Sequence, residues 1–292
     1  MSEPGMEGQP TMNTNKILSV GAHADDIEIE VGGTLLKYRD AGYAVVYVMA
    51  TNNMSGGVSE LLSDGTVRTT HEGTLAMMAR RKRECDEAAR SLGTAPIHLD
   101  HPQRHYWDEA LGKEVELRYG CPLPPGVPAN VPSILTAYED PPSVERLAQI
   151  ILDNDPECVF THSVSAMNVE HFATARLATA AFWRAVDKGF RGALLYWREG
   201  HTRLGEFNCR WETFVDYTRY LDRKMALIGL HRCQMPKAHL PTFGHRLLAL
   251  RWGQACGCRA AECFTWVRHA DYRDDQGLVY PPLTLELVQN TK

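Results

Sequence analysis

KILSVGAHADDIEIEVGGTLLKYRDAGYAVVYVMA, residues 16–50, opens and closes on short apolar runs. Lys16 to Ala22 and Ala44 to Ala50 are continuous rather than alternating, which is the pattern of strands covered on both faces of a parallel sheet. Between them Ile27, Val31, Leu35 and Tyr38 recur at helical spacing, so Ile27 to Ala41 is predicted to be a helix, closed by Gly42. Strand, helix, strand within about thirty-five residues is a βαβ unit.

The pattern continues outward from this unit. Polar, Gly-rich Asn52 to Thr70 is predicted to be a loop, Glu72 to Leu92 an amphipathic helix ended by Gly93, and Pro96 to Leu99 a third strand. His101 to Pro142 is proline-rich and has little periodicity; a stretch of this length in a compact domain is often a functional loop or lid. Ser143 to Leu152 is predicted to be a helix, Glu157 to Thr161 a strand, Val169 to Val186 a helix and Ala193 to Trp197 a strand. Thr213 to Leu230 follows as a helix, with Phe214, Tyr217, Leu221 and Ile228 near helical spacing. Alternating strands and helices make a mostly parallel α/β sheet. One domain over residues 16–292 is expected, after a disordered leader over residues 1–15.

Composition excludes several classes. The 292 residues are 44% hydrophobic and 23% charged, a globular balance with enough chain for a sizeable core. A net charge of −5 argues against a nucleic-acid partner. No apolar run is long enough to cross a membrane as a helix. No secretion signal is legible, so a cytoplasmic protein is expected, its eight cysteines present as free thiols. Cys256, Cys258 and Cys263 cluster but form no CxxC pair, which weighs against a structural zinc knuckle. No G-x-G-x-x-G follows the first strand, and Gly32-Gly33 falls inside the helix, so a dinucleotide is not expected.

Two strand ends carry the chemistry. In an open parallel sheet, ligands sit beyond the carboxyl ends of the strands. His23-Ala24-Asp25-Asp26 lies where the first strand gives way to the first helix, and His23 and Asp26 can converge as the chain curls. An imidazole and a carboxylate suit zinc, and Asp25 between them can point at a water. A plain helix cap is the competing explanation for either Asp, though not for the whole His-x-Asp-Asp set with Glu28. The strand ending at Thr161 is followed by His162 and then by Asn168, Glu170 and His171. His23, Asp26 and His171 together would supply two imidazoles and a carboxylate, leaving a zinc position open to water. His101 and His105, after the third strand, are rival third ligands.

These motifs resemble the PIG-L/LmbE-like family of N-acetylglucosaminyl deacetylases. The family's Ala-His-Pro-Asp-Asp-x-Glu reads here Ala22-His23-Ala24-Asp25-Asp26-Ile27-Glu28. Arg81 and Glu84, ahead of Leu92-Gly93, are similar to its Arg-x-x-Glu helix. Lys224, Ala226, Leu227, His231 and Gln234 are similar to its Lys-x-x-Ala-Leu and His-x-x-Gln segment, and Ala261-Glu262-Cys263-Phe264 to its Ala-Glu-x-Phe stretch. The resemblance implies a Rossmann-like fold, a mostly parallel sheet with helices on both faces, and no dinucleotide. It implies Zn2+ held by His23, Asp26 and His171, with Asp25 as general base. The family's His-Pro-Asp-His becomes Asn168-Val169-Glu170-His171, so the histidine that helps stabilise the oxyanion is replaced by Asn168. His162 is the other candidate for that role. Ala166 stands near a position where some members place a tyrosine.

The expectation is a zinc hydrolase that removes an acetyl group from the amine of an N-acetylated sugar or glycoconjugate. Zinc acidifies water and polarises the carbonyl, while Asp25 takes the proton. Arg81 is a candidate for gripping substrate, against a solvated helix charge. Tyr106, Trp107, Tyr119 and Tyr138 could stack on a sugar ring. Two alternatives share the site: an amidase acting on larger N-acyl sugars or thiol-sugar conjugates, and a catalytically weak sugar- or metal-binding homologue. The reading leaves a homo-oligomer open.

Overall fold

A computed structural model describes residues 15–118, 120–198 and 213–268, together with the backbone of two-residue strands at 272–273 and 279–280. Its first strand, β1 (Lys16–Gly21), is buried from Ile17 onward. β2 (Ala44–Thr51) pairs parallel to it, Lys16 opposite Ala44 and Gly21 opposite Met49. The hairpin β3 (Val58–Leu61) and β4 (Val67–Thr70) follows, then β5 (Pro96–His101) and a second hairpin of β6 (His105–Asp108) and β7 (Lys113–Glu116). β8 (Cys158–Thr161), β9 (Ala193–Trp197), β10 (Thr213–Asp216) and β11 (Ala261–Arg268) complete the main sheet. Its seven strands run in the order β10-β11-β9-β8-β1-β2-β5. The five strands β9, β8, β1, β2 and β5 are parallel to one another, and β11 lies antiparallel to both β9 and β10.

The eight described helices are α1 (Asp26–Glu30), α2 (Gly32–Asp40), α3 (Thr74–Ser91), α4 (Ile134–Ala137), α5 (Pro141–Asn154), α6 (Val169–Asp187), α7 (Leu221–Ile228) and α8 (Gly244–Cys256). They divide between the faces of the sheet. Ile17, Tyr47, Met49, Phe160 and Trp197 point into one core with residues of α1, α2, α3 and α7. Their neighbours Leu18, Val46, Val48, Val159 and Tyr196 point into the other, with α4, α5 and α6. A strand buried on both faces has no polar side to show, which is why its sequence is a continuous apolar run.

Several local expectations are revised. The helix over 27–41 is two helices, divided at Val31, whose φ of −134° and ψ of 3° depart from helical values. Gly33 in the second half packs against Tyr217, where an added Cβ would come within 2.4 Å of the ring. The Asn52–Thr70 loop contains the β3–β4 hairpin, and the proline-rich stretch contains β6, β7 and α4. Thr213 to Asp216 is a strand rather than the start of a helix, because it pairs antiparallel with β11 and completes the sheet edge. Residues 1–14 of the expected leader lie outside the described residues, as do Tyr119 and Cys209.

Candidate active site

β1 and β8 are neighbours in the sheet, but the chain leaves them toward opposite sides: after β1 it goes to β2, and after β8 to β9. This is the switch point at which a doubly wound sheet leaves a crevice beyond its strand ends. The His23–Asp26 turn leaves β1 there, and the loop from His162 to Asn168 leaves β8 beside it.

The first turn is tightly held. Asp25 has φ 125°, a backbone conformation that costs an L residue of order 1–3 kcal/mol and needs fixing by its surroundings. The fixing is visible on both sides of it. Ala24 N–H donates to Asn53 Oδ1 at 2.7 Å, Arg81 Nη2 donates to the Ala24 carbonyl at 2.9 Å, and His23 N–H donates to Asp26 Oδ2 at 2.6 Å. Asp25 is thereby turned into the crevice, where Arg81 Nη2 stands 3.7 Å from its Oδ1.

His23, Asp26 and His171 are the only group of three metal-capable donors among the described residues, and their donor atoms all lie within 4.8 Å of one another. His23 Nδ1 is 3.0 Å from His171 Nε2, which is 3.3 Å from Asp26 Oδ1. His23 Nε2 faces Glu170 Oε2 at 2.5 Å. Glu170 also accepts from Gln103 Nε2 at 3.1 Å and from the Arg104 N–H at 2.5 Å. Burial works against its charge, but His23 and these donors hold its carboxyl down at about 2. An ionised Glu170 can only accept, so His23 keeps a proton on Nε2 and turns Nδ1 toward Asp26 and His171. Two imidazoles and a carboxylate converging on one point, one of the imidazoles backed by a second carboxylate, form a donor set that fits zinc.

Electrostatics follow from crowding. Burial opposes a charged ring at His23, yet Asp26 and Glu170 raise it to about 9. Burial also opposes ionisation of Asp26, but the rings of His171, His23 and His162 hold it well below the ordinary carboxylate range. Asp25 has the opposite fate: burial raises it to about 6 against the pull of Arg81.

The crevice has a volume of about 500 Å³, and His23, Asp25, Arg81, Gln103, His105, Asn168, Glu170 and Gln234 are among the residues that line it. Asn168 is the N-cap of α6, its Oδ1 accepting from the Glu170 N–H at 2.9 Å. His162 is fully buried and does not line the crevice. It lies beneath the site, with Nε2 3.2 Å from Asp26 Oδ2 and Nδ1 accepting from Trp197 Nε1 at 3.3 Å. Arg81 is no solvated charge; it is 5% exposed, and it donates to the Ser55 and Ala24 carbonyls. Of the rival ligands, His101 is turned away to the Pro132 carbonyl, and His105 lines the crevice outside the donor group.

The aromatic wall is not where the sequence suggests. Tyr106 and Trp107 face a separate cavity beside Thr74 and Leu75, and Trp107 stacks on His71 with ring centroids 3.8 Å apart. Tyr138 lies under Arg176. Glu170 and Gln103 carry no assigned role in the sequence reading. The motif that places Glu170 next to His171 is visible there, but its partner His23 is 147 residues away. In the segments near the C-terminal end of the resemblance, Lys224 pairs with Glu262 at 2.6 Å and His231 with Glu28 at 2.9 Å, all four buried, while Gln234 reaches the crevice.

The chain is an α/β protein with a Rossmann-like sheet that carries a His/Asp/His group of metal-capable donors and a neighbouring acidic residue at its switch point. A family model described as GlcNAc-PI de-N-acetylase, PIG-L, matches residues 18–182, more than half of the chain, and the protein belongs to that family. The diacetylchitobiose deacetylase of Thermococcus kodakarensis is 34% identical over 90 residues, 31% of this chain and 30% of that one. The 1D-myo-inositol 2-acetamido-2-deoxy-α-D-glucopyranoside deacetylase of Nocardia farcinica is 23% identical over 186 residues, 63% of this chain and 57% of that one. The matched region thus spans less than two thirds of either relative. Among solved structures, the 4-carboxy-2-hydroxymuconate hydratase GalB of Pseudomonas putida KT2440 superposes with a TM-score of 0.61 at 19% identity, covering 89% of this chain and 99% of its own. That likeness shows the fold, and a fold does not select a chemistry.

Proposed function

We propose that this protein is a zinc-dependent hydrolase that removes the acetyl group from the amine of an N-acetylated sugar or sugar-bearing small molecule. The observation that carries the proposal is the convergence of His23 Nδ1, His171 Nε2 and the Asp26 carboxylate, with His23 and the adjacent Asp25 lining the crevice. The family and the two sugar deacetylases similar to this chain support the choice of an acetylated amine over other substrates of the fold.

In this reading His23, Asp26 and His171 hold the ion. Bound there, zinc would supply Lewis acidity, polarising the acetyl carbonyl and acidifying water. Asp25 accepts the proton of the attacking water on a carboxylate oxygen and returns it to the nitrogen of the departing amine. Arg81 keeps Asp25 aimed, since its guanidinium is already committed to Ala24, Ser55 and Asp25; we assign it positioning before any grip on substrate. Asn168 spends Oδ1 on its helix cap, and its Nδ2 is the donor offered to the developing negative charge on the acetyl oxygen. His162, sealed beneath the crevice, braces Asp26 instead of touching substrate. Glu170 and Gln103 fix the ring of His23.

The test is release of acetate from N-acetylglucosamine, N,N'-diacetylchitobiose and their glycosides by metal-free and zinc-loaded protein. The expected result is release that depends on zinc and is lost in Asp25→Asn. No zinc-dependent release from any of these substrates overturns the proposal.

A further inference from the structure

The cluster of Cys256, Cys258 and Cys263 takes no part in the crevice, and the structure divides it into a pair and an outlier. Cys263 is buried in β11, where burial raises its thiol. Cys256 and Cys258 are half-buried, and their sulfurs lie 3.5 Å apart. Of the other described cysteines, Cys85, Cys158 and Cys233 are buried and Cys121 is exposed. Reactivity of a cysteine depends on access and on its immediate surroundings, and here the immediate surrounding of each thiol is another thiol.

The turn between them explains the contact. Cys256 is the last residue of α8, and Gly257 follows with φ 83°, the left-handed conformation that ends a helix and that glycine adopts without steric cost. The chain doubles back there, and the Cys258 N–H donates to the Gly253 carbonyl at 2.8 Å. Residues two apart within a helix do not face each other; the left-handed turn sets these two side by side. Each thiol also has a carbonyl to donate to, Cys256 that of Gly253 at 3.5 Å and Cys258 that of Ala260 at 3.4 Å. A bond between the sulfurs is roughly 2.05 Å long, so they need to approach by about 1.5 Å, a movement within reach of side-chain rotation.

We propose that Cys256 and Cys258 form a reversible dithiol–disulfide site that exchanges with small disulfides such as glutathione disulfide. The Cys256 thiolate attacks one sulfur of the small disulfide, whose S–S bond breaks and releases one small thiolate. Cys256 then carries a mixed disulfide. The Cys258 sulfur attacks the Cys256 sulfur, the second small thiol departs with the Cys258 proton, and the Cys256–Cys258 bond closes. The two cysteines together lose two electrons and two protons, and the small disulfide is reduced to two thiols. Burial, and after it the Cys256 sulfur, raise the Cys258 thiol to about 12, so Cys258 stays protonated and Cys256 attacks first. Closure is intramolecular, between atoms already in contact, so the mixed disulfide does not accumulate. A partly exposed disulfide remains open to attack by small thiols, which makes the site reversible. It lies on the far side of the sheet from the crevice, since β9 and β8 stand between β11 and β1.

Thiol mapping tests this without requiring turnover. The full chain, its thiols first reduced, is incubated with glutathione disulfide, trapped with N-ethylmaleimide and digested with trypsin. The peptide over residues 252–259 holds both cysteines and no other. By mass spectrometry it should lose two hydrogens and take up neither glutathione nor maleimide, and it should regain both maleimide sites after dithiothreitol. Exposed Cys121, which faces no second sulfur among the described residues, should stop at the mixed disulfide with glutathione. Fully buried Cys85 and Cys158 should stay unmodified, which verifies that the chain is folded. In Cys258→Ser the same peptide should keep one glutathione, on Cys256. A parent peptide that retains glutathione, or that stays open to maleimide once Cys121 has reacted, overturns the inference. So does a dimer linked through Cys256 or Cys258 on a non-reducing gel, because the two sulfurs would then be pairing between chains.

Discussion

Glu170→Gln changes one atom type in a residue that is 7% exposed and touches no substrate in this account. As a carboxylate, Glu170 takes His23 Nε2 and Gln103 Nε2 on one oxygen and the Arg104 N–H on the other. Glutamine has the same shape with one acceptor and one NH2. If its oxygen serves His23 and Gln103, the NH2 opposes the Arg104 N–H; if it is flipped, the NH2 opposes two donors at once. The first arrangement is the cheaper, and it leaves one buried N–H unpaired, worth about 1–3 kcal/mol of stability. It also replaces the charged acceptor behind His23 by a neutral one, and partners of this kind typically change metal affinity by about 10–100-fold, or roughly 1.4–2.8 kcal/mol. Competition with a fluorescent zinc chelator reads the affinity, and a thermal melt on the same sample reads the stability. The zinc Kd should rise by about one to two orders of magnitude, with turnover recovered at saturating zinc. A Kd equal to that of the parent protein, in a variant that melts cooperatively, would refute the claim that Glu170 acts through His23.

Other substitutions separate roles that lie close together. Asp25→Asn should keep zinc and lose about a hundredfold or more in kcat, whereas Asp26→Asn should lose zinc itself, as metal analysis will show. Asn168→Asp keeps an oxygen for the α6 cap but removes the Nδ2 donor, so kcat should fall with little change in melting temperature. Asn168→Ala should lose both, the cap being worth about 1 kcal/mol; equal kcat in both Asn168 variants and the parent would leave the residue a cap alone. Glu262 accepts from Lys224 Nζ, the backbone N–H groups of Gly33 and Thr34, and the Thr34 hydroxyl. Glu262→Gln should cost about 3–5 kcal/mol in denaturant unfolding, because it strands the buried Lys224 charge.

Much of this arrangement is legible in the sequence, and the reasons are physical. Strands buried on both faces, such as Lys16–Gly21 and Ala44–Thr51, must be apolar throughout, so they stand out from any amphipathic helix. His23, Asp26 and His171 are legible because each follows a strand of that kind, and strand ends in a parallel sheet face the same crevice. What stays hidden depends on partners distant in the chain. Thr213–Asp216 becomes a strand only by pairing with Ala261–Arg268. The Glu170–His23 contact spans 147 residues, and Arg81 becomes a buried prop for the Asp25 turn only once α3 brings it to the Ala24 carbonyl, 57 residues back in the chain. Tyr106 and Trp107 mislead because their part of the hairpin borders the cavity beside Thr74, while His105 of the same strand lines the crevice.

Acetate release from N,N'-diacetylchitobiose, followed while zinc is titrated into metal-free protein, decides whether His23, Asp26 and His171 form a catalytic zinc site. Release should rise with added zinc, saturate near one ion per chain, and be absent at every zinc concentration in His23→Ala and His171→Ala. Release that is indifferent to zinc, or that persists in both variants, would contradict it.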